Sequence, residues 1–191
     1  MARLITHAEL RAAPWKNGGG STTEIAASPA GAGFDDFDWR ISLATIARSG
    51  PFSIFPGIDR SLALVAGEGV ALTLDGARRI ALSAANPLLW FPGEAQVHAE
   101  VAAATTDFNV MTRRSRCRHQ LERVTAPAEL TRRSPTTLLF LAEGERVGVR
   151  GGAQAFTLQR YDALLLDAAD APHWRVDAAA GATLFVVDLI T

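Results

Sequence analysis

Hydrophobic and polar residues alternate along most of the chain with a period of two. The clearest run is residues 39–43, which read Trp-Arg-Ile-Ser-Leu. This alternation is typical of a β-strand with one apolar and one polar face. Many short strands, separated by turn residues, predict an all-β sandwich or barrel. The other predicted strands cover residues 61–66, 70–74, 78–82, 87–91, 108–112, 137–142, 146–150, 156–159, 163–166 and 183–189.

A short helix is predicted near the N-terminus. Thr6 and Glu9 have the spacing of a capping box, in which each side chain satisfies a main-chain N–H that the first turn leaves unpaired. Pro14 has no N–H and disfavours the α conformation at Ala13, so we expect the helix to stop by about residue 12.

The two halves of the chain share a pattern at an offset of 76 positions. Residues 62–89 align with residues 138–165, and Asp107–Met111 then falls on Thr183–Val187. The match is one of pattern more than identity, so duplication and chance β-periodicity both explain it. A duplication predicts two small jelly-roll barrels, each closed on itself. The polar residues are densest in the first half, so we expect a site in the first barrel, with the second barrel as support.

Composition and charge narrow the classes of function. Hydrophobic residues make up 48% of the 191 positions, which suffices for a core and argues against disorder. The net charge of −1 gives no reason to expect a nucleic-acid partner. The apolar stretches are far shorter than the roughly 20 residues of a membrane span, and no signal peptide is recognisable. The single cysteine, Cys117, is typical of a reducing compartment, so we expect a cytoplasmic protein with no membrane partner.

A glycine-rich segment precedes the strands of the first half. It reads Lys16-Asn17-Gly18-Gly19-Gly20. Successive glycines let the backbone approach a ligand and turn its N–H groups toward an anion, to which Lys16 would add charge. The order of lysine and glycines is not that of a nucleotide-binding phosphate loop. A flexible connector between the first helix and the first strand is the alternative interpretation.

Two predicted strands each carry a pair of polar residues at a spacing of two. Arg40 and Ser42 form one pair, and Asp107 and Asn109 form the other. Side chains two residues apart share a face of a strand. In a closed barrel these faces would line a small polar cavity, where an arginine can hold a carboxylate through two parallel hydrogen bonds. Solvated sheet edges remain the alternative.

The histidines and the cysteine show no metal or nucleophile pattern. His7, His98, His119 and His173 form no close pair, and Cys117 is isolated. A three-ligand metal site would need scattered residues. No nucleophile elbow is present either. We therefore expect neither a metal nor another cofactor.

Six segments in order along nearly the whole chain together resemble the HutD/Ves family. This resemblance implies a bicupin fold, which is two RmlC-like jelly-roll β-barrels in one chain, with residues 1–118 forming an N-terminal segment and the first barrel and residues 119–191 the second. Members commonly accompany bacterial histidine-utilisation genes; no enzymatic activity is established for them, and a sensing role for an intermediate such as N-formylglutamate has been proposed. The segments are Trp15–Gly20, Asp38–Ser42, Gly50–Ser53, Phe55–Arg60, Phe91–Gly93 and Asp107–Met111.

The comparison with metal-binding cupins also bears on the cofactor. Those proteins usually bring a His-x-His pair and a carboxylate from one motif and another histidine from a second. Residues 55–67 stand where the first motif would fall and contain no histidine. The second motif survives around His98 and, in the other half, at residues 168–173. One imidazole in each barrel does not hold a divalent metal tightly, so the resemblance implies a metal-free binding cup.

The leading prediction is a metal-independent small-molecule-binding sensor of histidine utilisation, with an anionic, amino-acid-derived ligand in the first barrel. One alternative is a metal-free isomerase, epimerase or hydrolase that uses His98 with Asp107 or Glu24 as acid and base. Another is a protein-interaction module acting through its outer surface, and pairing through the sheets would give a homodimer. The predicted ligand-binding residues are Lys16, Arg40 and Arg60 for charge, Asn17, Gly18, Gly19, Ser42 and Asn109 for orientation, and Glu24, His98 and Asp107 for an amide or amine.

Overall fold

The computed structural model describes residues 1–178 and 181–191. These residues form two compact units. We call Arg11–Cys117 the first barrel and Met1–Leu10 together with Arg118–Thr191 the second barrel. The expected division placed the first ten residues with the first barrel. In the structure they belong to the second, because residues 3–5 form a strand that pairs with residues 163–165.

The described residues form nineteen β-strands. Neighbouring strands pair antiparallel throughout. In chain order the strands are β1 (Arg3–Ile5), β2 (Ala12–Pro14), β3 (Gly20–Ser28), β4 (Trp39–Ile46), β5 (Gly50–Pro51), β6 (Ile58–Ala66), β7 (Val70–Leu74), β8 (Arg78–Leu82), β9 (Leu88–Pro92), β10 (Val97–Glu100), β11 (Thr105–Arg113), β12 (Arg118–Thr125), β13 (Ala128–Thr131), β14 (Thr136–Glu143), β15 (Arg146–Gly151), β16 (Gln154–Gln159), β17 (Ala163–Leu166), β18 (His173–Asp177) and β19 (Thr183–Ile190). The prediction of an all-β chain is confirmed.

Each barrel consists of two sheets around its own apolar core. In the first barrel the sheets have the strand orders β2-β3-β4-β11-β6-β9 and β5-β10-β7-β8. Leu62 and Phe91 from one sheet and Leu72 from the other are part of its core. In the second barrel the orders are β1-β17-β14-β19-β12 and β13-β18-β15-β16, and the core contains Leu139 and Trp174.

The strand pairings of the first barrel recur in the second. Strands β4 to β11 pair with one another in the same scheme as β12 to β19, which makes eight strands in each jelly roll. Both long central pairs also have a register shift, next to Asp107 in β11 and at Leu141 in β14. Asp107 pairs with Leu64 and Leu184 pairs with Leu141, and each of these pairs is the one next to the register shift. The shifts therefore align Asp107 with Leu184. The two barrels therefore share the same strand topology. The structural alignment differs by one residue from the sequence offset of 76, which aligned Asp107 with Thr183.

The predicted N-terminal helix is wrong. The segment contains one 3-10 turn, His7–Glu9, and the Thr6 side chain makes no capping hydrogen bond. The His7 N–H instead donates to Oδ1 of Asp162 at 2.8 Å. Because the segment is held by this carboxylate and follows β1 directly, it does not extend into an α-helix. No helix in residues 1–178 and 181–191 has the length and apolar character needed to cross a membrane.

Candidate functional site

Polar side chains lie in a row on the inner face of the six-stranded sheet of the first barrel. Ser42 of β4 lies directly opposite Asn109 of β11, and Asn109 lies opposite Leu62 of β6. Residues directly opposite in antiparallel strands share a face. Since Leu62 belongs to the barrel core, Ser42 and Asn109 also face the interior. Glu24 of β3 continues the row on the far side of Ser42.

Two further rows flank this one on the same face. Toward one end, Met111 lies between Arg40 and Arg60; toward the other, Asp107 lies opposite Leu64. Side chains on one face recur every two residues, so the three rows are consecutive. Both strand pairs of the sequence analysis therefore face the interior. The predicted site residues assembled on this inner face are Glu24, Arg40, Ser42, Arg60, Asp107 and Asn109.

Arg60 is buried in a cage of aromatic rings. Its guanidinium carbon lies 5.0 Å from the centroid of the Phe91 ring and 5.5 Å from the centroids of the Phe52 and Phe55 rings. Ring faces stabilise a desolvated cation. The closest polar contact is weak, because Nη2 donates to Oδ1 of Asn109 at 3.5 Å. The buried Nε has no hydrogen-bond partner among the described residues.

Burial shifts the proton equilibria of Arg60 and Asp107 in opposite directions. It lowers the pKa of the Arg60 guanidinium to about 10, against the effect of the Asp107 charge. It raises the pKa of the Asp107 carboxyl to about 7, against the effect of the Arg60 charge. Near neutral pH the site therefore combines a full positive charge with a carboxyl that is divided between its neutral and ionised forms.

Ser42 and Asp107 also present unpartnered polar atoms. Ser42 is 1% and Asp107 2% exposed. Within the described part of the chain, neither the Ser42 Oγ nor the Asp107 Oδ1 has a hydrogen-bond partner. A buried polar atom without a partner costs about 1–3 kcal/mol. Three such atoms, with Nε of Arg60, on one inner face indicate a place where a polar ligand or water completes the hydrogen bonding.

Arg40 and Glu24 pair with each other. Nε of Arg40 donates to Oε2 of Glu24 at 2.7 Å, and the Arg40 guanidinium carbon lies 4.4 Å from the centroid of the Phe34 ring. The prediction assigns these two residues separate roles: Arg40 supplies charge for the ligand, and Glu24 accepts a hydrogen bond from its amide or amine. In the structure they form an ion pair with each other, whereas Arg60 has no ion-pair partner among the described residues and has a buried Nε without a hydrogen bond.

The glycine-rich segment is a tight turn between β2 and β3. The Gly18 N–H donates to the Trp15 main-chain oxygen and the Gly19 N–H to Oδ1 of Asn17, both at 2.9 Å. These N–H groups are occupied within the turn, so the predicted anion-binding role of Gly18 and Gly19 does not match the geometry. Nη2 of Arg48 also donates to the Gly18 carbonyl at 2.8 Å. The segment is a connector whose turn conformation is fixed by these hydrogen bonds.

Lys16 and its turn lie at the other end of the sheet from Arg40. Gly20, which ends the turn, pairs with Ile46, whereas Arg40 is six residues earlier in β4. Six strand residues span about 20 Å. Lys16 is exposed. The structure therefore does not bring Lys16 and Asn17 to the arginine end of the site.

His98 lies on the outer surface of the first barrel. In β10 the buried residues Val97 and Ala99 alternate with exposed His98 and Glu100. Since successive side chains of a strand point to opposite faces, His98 points away from the core that contains Val97 and Ala99. The acid–base pair that the enzyme alternative required, His98 with Asp107 or Glu24, is therefore not assembled.

Sequence reasoning missed the phenylalanines as site residues. Phe52 and Phe55 lie between β5 and β6, and Phe91 lies in β9, opposite Arg60. All three phenylalanines belong to the segments that carry the family resemblance. Their contact with the Arg60 guanidinium is a tertiary contact, which strand alternation does not predict. Within residues 1–178 and 181–191, no three histidine, cysteine, aspartate or glutamate side chains are grouped as metal ligands.

Two eight-stranded jelly rolls in one chain define a bicupin. A cupin barrel protein from Leptotrichia buccalis supports this class: its structure superposes with a TM-score of 0.61 at 11% identity, over 99% of this chain and 96% of that one. At this identity the likeness concerns the fold alone.

The chain belongs to the HutD family, whose model matches residues 7–186. It is 36% identical over 163 residues to an uncharacterised 21.2 kDa protein of the region 3′ of hutC in Pseudomonas putida, covering 82% of each chain. The structure of a conserved protein of unknown function from Pseudomonas aeruginosa matches over the full length of both chains, with a TM-score of 0.91 and 33% identity. HutD from Pseudomonas fluorescens matches over 100% of this chain and 98% of that one, with a TM-score of 0.85 and 29% identity.

Proposed function

We propose that this HutD-family protein is a metal-independent sensor of histidine utilisation that binds a small anionic, amino-acid-derived ligand inside its first barrel. The observation that carries the proposal is the buried Arg60, whose guanidinium is caged by three aromatic rings and left with an unpartnered Nε. A guanidinium offers five N–H donors in a plane, which matches a carboxylate with two parallel hydrogen bonds. A ligand carboxylate would therefore satisfy what the protein leaves open.

The order of the three rows suggests how such a ligand would lie. Arg60 and Asp107 stand two rows apart on the inner face, with Ser42 and Asn109 in the row between them. Four strand residues separate the outer rows, which is about 13 Å between α-carbons before the side chains reach inward. That spacing suits a ligand of amino-acid length with a carboxylate at one end and a hydrogen-bonding amide or amine at the other.

Asp107 supports a ligand that carries an N–H group. Its unpartnered Oδ1 accepts a hydrogen bond when the carboxyl is ionised, and its protonated form also leaves an acceptor oxygen. The middle row adds the Ser42 hydroxyl and the Asn109 amide, both of which can donate or accept. An acylated amino dicarboxylate such as N-formylglutamate has this arrangement of groups and is our leading candidate.

Isothermal titration calorimetry with N-formylglutamate, formiminoglutamate, urocanate and glutamate tests the proposal. We expect heat with at least one of them and a loss of affinity of more than about tenfold in Arg60→Met, because the variant removes a charge-assisted hydrogen bond. Methionine fits the aromatic cage and keeps an unbranched side chain. Arg78→Met is the matched control, since Arg78 is exposed on β8.

Two results would reject the proposal. One is the absence of binding for all four compounds to wild-type protein whose folding has been verified. The other is equal affinity of wild type and Arg60→Met, because the ligand would then not use the caged guanidinium. If a variant that lacks His98 still turned over a bound compound, Asp107 would be the candidate proton-transfer group.

A further inference from the structure

A cavity of about 170 Å³ lies in the second barrel. It is lined from both sheets, by residues that include Thr137, Leu139 and Asp188 of one sheet and Leu130 and Trp174 of the other. An apolar cavity of about 150 Å³ in another protein admits benzene. The space therefore fits a compound of roughly six non-hydrogen atoms. The density of polar residues in the first half of the sequence predicts a site in the first barrel and a supporting role for this one.

Asp188 brings a carboxylate to this cavity. Its residue exposure is 6%, and it lies opposite Thr137 and Gln120 in the sheet. Oδ1 accepts a hydrogen bond from the Thr137 hydroxyl at 2.7 Å. The Ser134 hydroxyl lies 3.0 Å from Oδ1, but its single proton is shared with the Thr136 main-chain oxygen at 2.6 Å. In the portion of the chain that the structure describes, Oδ2 accepts no hydrogen bond and forms no ion pair, and it is not among the fully buried atoms without a partner, so it keeps some exposure. A nearly buried carboxylate thus lines the cavity with one oxygen accessible.

Neither guanidinium group in the cavity lining forms an ion pair with Asp188 within the described residues. Glu122 forms an ion pair with Arg133 at 2.5 Å. Arg132 directs its donors at main-chain oxygens, Nε at Ala171 at 3.0 Å and Nη2 at Asp170 at 2.9 Å.

Glu129 adds a third carboxylate to the lining. With three carboxylates and two guanidinium groups, one of them already paired with Glu122, the lining carries a net negative charge.

The indole ring of Trp174 is the second feature of the cavity that favours a cation. The indole N–H donates to the Ala171 carbonyl at 2.8 Å, so its polar group is satisfied away from a ligand. The residue is 2% exposed and lines the cavity. An indole face attracts a cation, more strongly when the cation is desolvated. A carboxylate and an indole in one small cavity favour a flat or compact organic cation.

We infer that the second barrel binds a small organic monocation with N–H donors, of the guanidinium, amidinium or alkylammonium class. The Asp188 carboxylate would accept its hydrogen bonds and the Trp174 ring would stack on it. This site is separate from the first-barrel site and has the opposite charge preference. Its existence does not depend on the proposed anionic ligand.

The test compares three small probes of similar size on the full-length protein. Methylguanidinium is the cation, methylurea its neutral counterpart and propionate the anion. Each is titrated at millimolar concentration while amide and indole N–H signals are followed by NMR. We expect saturable shifts with methylguanidinium alone, centred on the Trp174 indole N–H and on residues around Thr137.

Asp188→Asn tests the carboxylate. Asparagine keeps an oxygen for the Ser134 and Thr137 hydroxyls but removes the charge, so we expect the affinity for methylguanidinium to fall by about tenfold or more. Asp177→Asn is the matched control, because Asp177 lies in the same barrel but pairs with Arg175 and does not line the cavity. Arg78→Met, at an exposed position of β8, is the control in the first barrel. Both controls should bind methylguanidinium as wild type does.

Four outcomes overturn the inference. The first is equal binding of methylurea and methylguanidinium, which would show that charge plays no part. The second is saturable binding of propionate with the same shifts around Trp174. The third is the absence of saturation with methylguanidinium, and the fourth is unchanged affinity in Asp188→Asn. If that variant does not fold, the wild-type shift map still decides, because shifts confined to Ser42 and Asn109 would place the cation in the wrong barrel.

Discussion

The substitution Asp107→Asn should make the protein more stable at alkaline pH and leave it almost unchanged at acid pH. Burial raises the pKa of the Asp107 carboxyl from 3.8 to about 7 in the folded protein. The folded state therefore binds this proton more tightly than the unfolded state, and ionisation opposes folding. The stability contribution of the neutral carboxyl is complete below pH 3.8 and is lost as the pH rises through 7.

The size of the effect follows from the shift. About three pKa units correspond to about 4 kcal/mol above pH 7. Between pH 5 and pH 8 the difference in unfolding free energy between Asp107→Asn and wild type should grow by about 2–3 kcal/mol. Asp107 is 2% exposed, so solvent screens little of this. Other titrating groups affect both proteins alike and cancel in the difference.

Urea denaturation at pH 4, 5, 7 and 8 measures this difference, with unfolding followed by tryptophan fluorescence. The pH 4 data serve as the internal control, because the Asp107 carboxyl is neutral in the fold there and the pH lies close to its unfolded pKa of 3.8, so its ionisation changes the unfolding free energy by less than about 1 kcal/mol. A difference that stays constant from pH 5 to pH 8 would refute the reasoning. A difference that shrinks with pH would show that the ionised carboxylate stabilises the fold, which would mean that Arg60 overcomes the cost of burial.

Three further predictions follow from the same geometry. The affinity for an anionic ligand should fall as the pH rises through about 7, where Asp107 acquires its charge; calorimetry at pH 6 and pH 8 should show this in wild type but not in Asp107→Asn. Glu24→Gln should raise that affinity by leaving the charge of Arg40 uncompensated, again by calorimetry. Gly20→Ala should strongly lower the melting temperature because its Cβ would lie 2.1 Å from a carbonyl oxygen of β4, whereas Gly33→Ala, in open space, should not.

The inner face of the first barrel could be predicted because strand alternation is a local property. Arg40 with Ser42 and Asp107 with Asn109 each follow the period of two, and closure of the barrel turns both pairs inward. The same rule, applied to Val97-His98-Ala99, would have placed His98 outside, because its neighbours are apolar. The family resemblance carried His98 into the predicted site against this local pattern.

The remaining differences come from contacts between distant segments. The glycine-rich turn uses its own N–H groups, and the occupation of those groups by Asn17 and Trp15 depends on the turn geometry rather than on composition. The first ten residues join the second barrel because β1 completes the edge of β17, which is more than 150 residues away. The pairing of Arg40 with Glu24 depends on the register of β3 against β4. None of these follows from periodicity.

The repeated topology explains how one fold offers opposite charges in its two halves. Strand β6 corresponds to β14 and β11 to β19, with the register shifts as common reference points. On that alignment Arg60 beside Met111 in the first barrel corresponds to Thr137 beside Asp188 in the second. The same pair of positions thus holds a buried cation in one barrel and a nearly buried anion in the other. An eight-stranded jelly roll fixes where these side chains face, so the residue types at this pair of positions set the charge that each inner face carries.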